Sequence, residues 1–193
     1  MSFPIKFNKS VLEKHPKIYE IIDQHWMTDV VYYIIDWRYR KSVNLVPWLQ
    51  SQVDIAESHK KLAFLADSLY HPNMDICIVN ILRWVRGWVT YKSDKRKWDV
   101  AEVWENVDNV YETREGDCES GALLIKKKKK MCGIPDSRVK MMACTVYDPF
   151  RNKEGGHATV IYRPSKFPLN WAILDWCYYY DNRSMDNRNL YGI

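Results

Sequence analysis

Several things are scarce in this chain, and each scarcity removes a class of protein. No stretch of its 193 residues approaches eighteen consecutive apolar positions, so the sequence predicts no membrane span. The opening MSFPIKFNKSVLEKHPK has no apolar run of the kind a secretory leader needs, and the expected setting is a reducing cytoplasm. Cysteine is sparse and unpaired: Cys77, Cys118, Cys132, Cys144 and Cys177 are odd in number, and no two have CxxC spacing. That argues against a disulfide framework and against a structural zinc site, and no cofactor is expected. Basic stripes interleaved with aromatics are absent. The net charge of +5 equals the contribution of one run, Lys126, Lys127, Lys128, Lys129 and Lys130, so nucleic acid is not an expected partner. Internal repeats are absent as well.

What remains is a globular composition, 47% hydrophobic and 27% charged, in a chain long enough to bury a core without metals or disulfides. Aromatic residues are plentiful, with nine Trp and thirteen Tyr. Such residues stabilise cores and also line peptide- or sugar-binding grooves.

Residues 1–70 read as helical. Leu12, Ile18, Ile21, Ile22 and Trp26 recur along 11–27, a second helix is expected over 29–39 behind Thr28, and a third over 53–70 carries Ile55, Leu62, Leu65 and Leu69 near one face. A further helix starts near Met74, with Gly87 inside it, and the polar KSDKRKWD that follows reads as a loop. After Pro135 the texture changes. RVKMMACTVY, GGHATVIYR and WAILDWCYYY are short, β-branched and aromatic, separated by turn residues, and read as strands of an antiparallel sheet. Helices followed by strands give an α+β fold class. The expected organisation is a helical extension over 1–70, a core over 71–180 and a polar tail over 181–193.

One stretch carries chemistry: REGDCESGALLIKKKKKMCGIP. Cys118 opens a helix that Gly133-Ile134-Pro135 should end. A helix N-terminus favours a thiolate, and so does an adjacent imidazolium. His157 begins a strand 39 positions on, and Asp175 lies in the next strand, 18 further. Neighbouring antiparallel strands can bring the two together at the helix tip. The histidine would then shuttle the proton, and the carboxylate would fix its tautomer. The amide of Cys118 is one candidate oxyanion donor. Trp104 is a candidate cleft wall or second donor, with a packing role as the plainer reading. Asp117 and Glu119 flank the thiol in the first turn, where capping and dipole pairing are their expected work. Cys118, His157 and Asp175 are also donor types that zinc accepts, though a thiol triad is the favoured reading. The other four cysteines read as core residues.

The ordered set GDCES-ALL, GIP and an arginine, GHATV, and W-ILD resembles the transglutaminase-like cysteine peptidase superfamily, with its papain-like fold. The matching residues are Gly116 to Glu119, Ala122 to Ile125, Gly133 to Pro135, Arg138, Gly156 to Ala158, and Trp171 with Leu174 and Asp175. The resemblance covers about residues 74–180. It implies Cys118 as nucleophile, His157 as base and acid, and Asp175 as orienter, acting by hydrolysis or acyl transfer on peptide or glutamine-type amides. Small stand-alone members of this group occur in phage genomes, which would place the protein in a host cytoplasm or a virion. Ser120 and Thr159 depart from the usual pattern, and so does the lysine run. That run reads as a solvated face, or alternatively as a contact for an acidic partner, with Lys129 needing to snorkel or meet an acid. Three functions are therefore expected in order: a cysteine hydrolase cutting a peptide or isopeptide bond; a transglutaminase resolving the same acyl-enzyme with an amine; and a non-catalytic scaffold within a larger assembly.

Overall fold

The computed structural model describes residues 22–23, 33–37, 67–148, 152–165 and 171–178. Five strands form the main sheet, in the order β1-β7-β6-β5-β2. They are β1 (Ile22–Asp23), β2 (Tyr33–Trp37), β5 (Val139–Asp148), β6 (Lys153–Tyr162) and β7 (Trp171–Leu174). Pairing is antiparallel throughout except between β1 and β7, which run parallel. Two short parallel strands, β3 (Thr90–Tyr91) and β4 (Glu115–Gly116), form a separate ladder. Four α-helices lie whole within the described residues, α1 (Met74–Trp88), α2 (Asp94–Lys97), α3 (Val107–Thr113) and α4 (Cys118–Met131), with a single 3-10 turn at Asp136–Arg138 and the helical residues 67–69 before α1. The fold is α+β, as the sequence pattern predicts.

The helix carrying Cys118 is central. It packs against β6 and β5 on one side and against α1 and α3 on the other. Helix α1 meets it with Cys77, Ile78, Ile81, Leu82 and Val85, a three-and-four spacing that forms one apolar stripe. Helix α4 is well closed at both ends. Asp117 caps it by accepting from the Ser120 amide at 3.3 Å. At the far end Gly133 adopts φ +72°, and its amide donates to the Lys130 carbonyl while that of Ile134 donates to the Lys129 carbonyl. These two bonds are the Schellman pattern, and they explain the glycine.

Two expectations for the first seventy residues are corrected. Ile22–Asp23 and Tyr33–Trp37 fall inside the stretches read as helices, and both are strands on opposite edges of the main sheet. The second comes from YIIDW, a β-branched and aromatic run that suits a strand as well as a helix turn. Its partner β5 lies over 100 residues away, with Trp37 opposite Cys144, and no local pattern announces that pairing. The helix expected over 53–70 lies almost wholly outside the described residues, as does the polar tail over 181–193. Within KSDKRKWD, read as a loop, residues Asp94–Lys97 form the short helix α2.

The lysine run is also corrected. Lys127, Lys128 and Lys129 are buried, each at most 1% exposed, so they are no solvated face. Their partners come from within the chain. Lys127 Nζ sits 3.1 Å from Asp108 Oδ1 on α3, and Lys129 pairs with Asp136 just past the helix. Lys128 Nζ lies 5.0 Å from the Trp84 ring centroid and 5.9 Å from that of Tyr111. Those two rings stack with Trp88. Burial lowers the pKa of all three lysines, that of Lys128 to about 8. An external acidic partner is left with only the partly exposed Lys126 and Lys130.

Candidate functional site

Strand register brings His157 and Asp175 together. Val160 lies opposite Leu174, so Thr159 is level with Asp175 and His157 is one diagonal step away on the same face. The chain leaves the strand after Leu174 and turns the carboxylate back. His157 Nε2 stands 2.6 Å from Asp175 Oδ2, and neither side chain has any solvent exposure.

Asp175 is fixed from three other directions. Its Oδ1 accepts from the amides of Cys177 and Tyr178, both at 2.9 Å. Its main-chain carbonyl accepts two bonds from the Arg86 guanidinium on α1, at 3.0 Å from Nε and 2.6 Å from Nη2. The Tyr178 ring packs on the imidazole with centroids 4.5 Å apart, and the Tyr178 hydroxyl lies 3.3 Å from that of Tyr91. Sequence reasoning missed Arg86, Tyr178 and Trp176. The only signal for the last two was their place three and one positions after Asp175.

Cys118 is the first residue of α4 and the one cysteine of the five that is not fully buried. The Ala158 backbone, next to His157 on β6, is among the groups that act on its thiol, and it favours the thiolate. The electrostatics differ from the expected thiolate–imidazolium pair. Burial, then the carboxylates of Glu119 and Asp117, push the thiol well above its ordinary value. The proton is accounted for, because Sγ donates to Glu119 Oε2 at 3.0 Å. Both features favour a neutral thiol over a thiolate.

Asp117 and Glu119 belong to an acidic group that reaches beyond the helix. Burial raises Asp117 to about 9, helped by Glu119 and Asp94, so it holds its proton at neutral pH and hydrogen-bonds Glu119. Asp94, Glu102 and Glu119 each bring a carboxylate oxygen within 4.8 Å of the others. Asp94 Oδ1 and Glu119 Oε1 are buried with no hydrogen-bond partner. Oxygen donors of this kind suit a hard divalent cation such as Ca2+ or Mg2+, and these three residues could hold one. Trp104 is half-buried against the core and hydrogen-bonds Glu102, on the acidic side of the site.

The remaining metal-type group is His157, Asp175 and Cys177. Both Asp175 oxygens already serve the hydrogen bonds just described. Cys77, Cys132, Cys144 and Cys177 are buried, as expected of core thiols. Two of them touch the site: Cys144 Sγ donates to the His157 carbonyl at 3.6 Å, and the Cys177 amide donates to Asp175 Oδ1.

Among the described residues no helix is long and apolar enough to cross a membrane. No protein-family model matches the chain, and no curated protein matches it. Among solved structures it is similar to Legionella pneumophila LapG, at 18% identity and a TM-score of 0.48, over 66% of this chain and 72% of that one. The EGTA-treated form of LapG is similar to the same extent, with 70% of that chain covered.

Proposed function

We propose that the chain is a thiol-dependent hydrolase of peptide or isopeptide bonds, working through Cys118, His157 and Asp175. The observation that carries this reading is the buried 2.6 Å contact between His157 Nε2 and Asp175 Oδ2, set beside a cysteine at a helix N-terminus. With Asp175 on Nε2, the other ring nitrogen, Nδ1, is assigned the proton transfer. The resemblance of the GDCES, GHATV and W-ILD motifs to transglutaminase-like cysteine peptidases supports the same assignment and implies a protein or peptide substrate.

The chemistry follows from the neutral resting thiol. As Sγ attacks the carbonyl carbon, His157 Nδ1 takes the thiol proton, and Asp175 stabilises the imidazolium. The carbonyl π-electrons move onto oxygen, where the Cys118 amide at the helix start is a donor. Collapse of that tetrahedral species breaks the C–N bond, and His157 returns the proton to the departing amine. Water, deprotonated by His157, then cleaves the thioester and regenerates the thiol.

Hydrolysis of denatured protein substrates, read by mass spectrometry, tests the proposal. Cleavage lost in both Cys118→Ala and His157→Ala supports it. Incorporation of a fluorescent amine into a glutamine-bearing protein would instead assign acyl transfer at the same site. Cleavage that survives in Cys118→Ala contradicts it.

A further inference from the structure

The residue after Asp175 makes a contact that the proposed chemistry does not itself require. Trp176 is 3% exposed, and its indole Nε1 donates to the main-chain carbonyl of Cys118 at 3.1 Å. The indole can reach that carbonyl only because residue 121, one turn along α4, has no side chain. A Cβ built on Gly121 would lie 2.2 Å from Trp176 Cε2 and 2.3 Å from Nε1. Helix backbone stands on one side of this contact and a buried ring on the other, so neither yields easily. Glycine inside a helix is destabilising relative to alanine. Gly121 is not at a left-handed position, so backbone conformation does not call for it. Passage of the indole does.

We propose that Trp176 is a positioning residue that couples the nucleophile to its acid–base pair, with Gly121 as the notch that admits it. Asp175 and Trp176 are adjacent, and between them they hold both halves of the site. Asp175 orients His157 from the sheet side. Trp176 holds the first turn of α4, and with it Cys118. The Tyr91 ring, 6.0 Å from the Trp176 ring, backs the indole from β3. A shift of the helix tip relative to the sheet must break the indole hydrogen bond, so the separation of Sγ from the imidazole is set by this clamp. The inference rests on Cys118 and His157 acting together, and its test separates the two claims.

Two readouts are needed, taken on the full chain at one pH near 7.5. The first is amide hydrogen exchange in the first turn of α4, which reports the clamp whether or not the thiol is activated. The second is the rate of Cys118 alkylation by iodoacetamide relative to the other four cysteines, which reports its consequence. Trp176→Phe keeps the ring and removes the donor. Gly121→Ala keeps the donor and displaces the ring. Each should speed exchange at Ser120 to Ala122 by about two- to tenfold, the range one net hydrogen bond commands. Each should also change the Cys118 alkylation rate, and the double variant should show less than the product of the two single effects, because both break one contact. Thermal melts confirm that the variants are folded. Unchanged exchange in folded Trp176→Phe overturns the clamp and leaves the triad standing. Faster exchange with an unchanged Cys118 rate reduces Trp176 to a packing residue and overturns the positioning role. A wild-type Cys118 rate indifferent to His157→Ala overturns the triad and the coupling together.

Discussion

His157 and Asp175 meet at 2.6 Å with no solvent on either side chain, and the aspartate reaches that contact from beyond the end of its strand. Two main-chain amides and the Arg86 guanidinium hold it there. A carboxylate so thoroughly fixed orients its partner without needing to take its proton. Asp175→Asn keeps the acceptor for the Cys177 and Tyr178 amides, so the fold should survive. In the proposed triad it removes the charge that would stabilise the imidazolium, and turnover should fall by about 10²- to 10⁴-fold. Paired measurement of turnover and thermal midpoint checks this. A variant that melts early and has lost activity in proportion to unfolding would count against the orienting role.

Glu119 accepts the hydrogen bond of the resting thiol, and its charge opposes ionisation of Cys118. Glu119→Gln removes that charge, so the pH at which the thiolate forms should move down. Thiolate absorbance near 240 nm against pH, with Cys118→Ser subtracted, measures it. A midpoint equal to or above that of the wild type would show that burial alone sets the thiol.

The pair formed by Lys129 and Asp136 is lopsided: the lysine side chain is 1% exposed and the aspartate 64%. Removing the partner of a buried charge costs about 3 to 5 kcal/mol, whereas replacing the buried charge by an apolar group is often neutral. Asp136→Asn should therefore destabilise the protein much more than Lys129→Met, although both break the same bridge. Urea unfolding of the two variants decides it, and equal losses would contradict the burial of Lys129.

Lys128 gives a pH dependence whose sign can be worked out. Burial lowers it to about 8 in the fold, against about 10.4 in an unfolded chain. Below pH 8 it is charged in both states, and the fold bears the whole cost of the buried cation. Between about 8 and 10.4 the folded state sheds the proton first, so that cost is relieved as pH rises. Wild-type stability should climb across this window relative to Lys128→Met, and the variant should be at least as stable at pH 7. The contacts with Trp84 and Tyr111 offset part of the cost but leave the pKa depressed. Parallel pH profiles for the two proteins would contradict this.

Legibility in the sequence followed the range of the interactions. The cap at Asp117, the stop at Gly133 and the start of α1 near Met74 are local, and each was readable from spacing and residue type. The diagonal contact of His157 with Asp175 needed only two neighbouring strands and a short connection. The lysines defeated the same approach, because an apolar pattern assigns every lysine to water. Their partners, the carboxylates of Asp108 and Asp136 and the rings of Trp84 and Tyr111, lie outside α4. β2 was misread as helix because Tyr33, Ile34 and Ile35 suit either state and its partner strand is distant in sequence. Arg86 reaches Asp175 across 89 positions, and Trp176 reaches Cys118 across 58. Nothing local marks either contact.

The most direct test of the proposed triad is alkylation of the native protein by iodoacetamide from about pH 5 to 9, read cysteine by cysteine in the wild type and in His157→Ala. Cys118 should react well ahead of Cys77, Cys132, Cys144 and Cys177, and His157→Ala should abolish that lead while the other four stay unchanged. Cys118 as slow as the buried four, or equally fast without His157, would contradict a nucleophile served by that histidine.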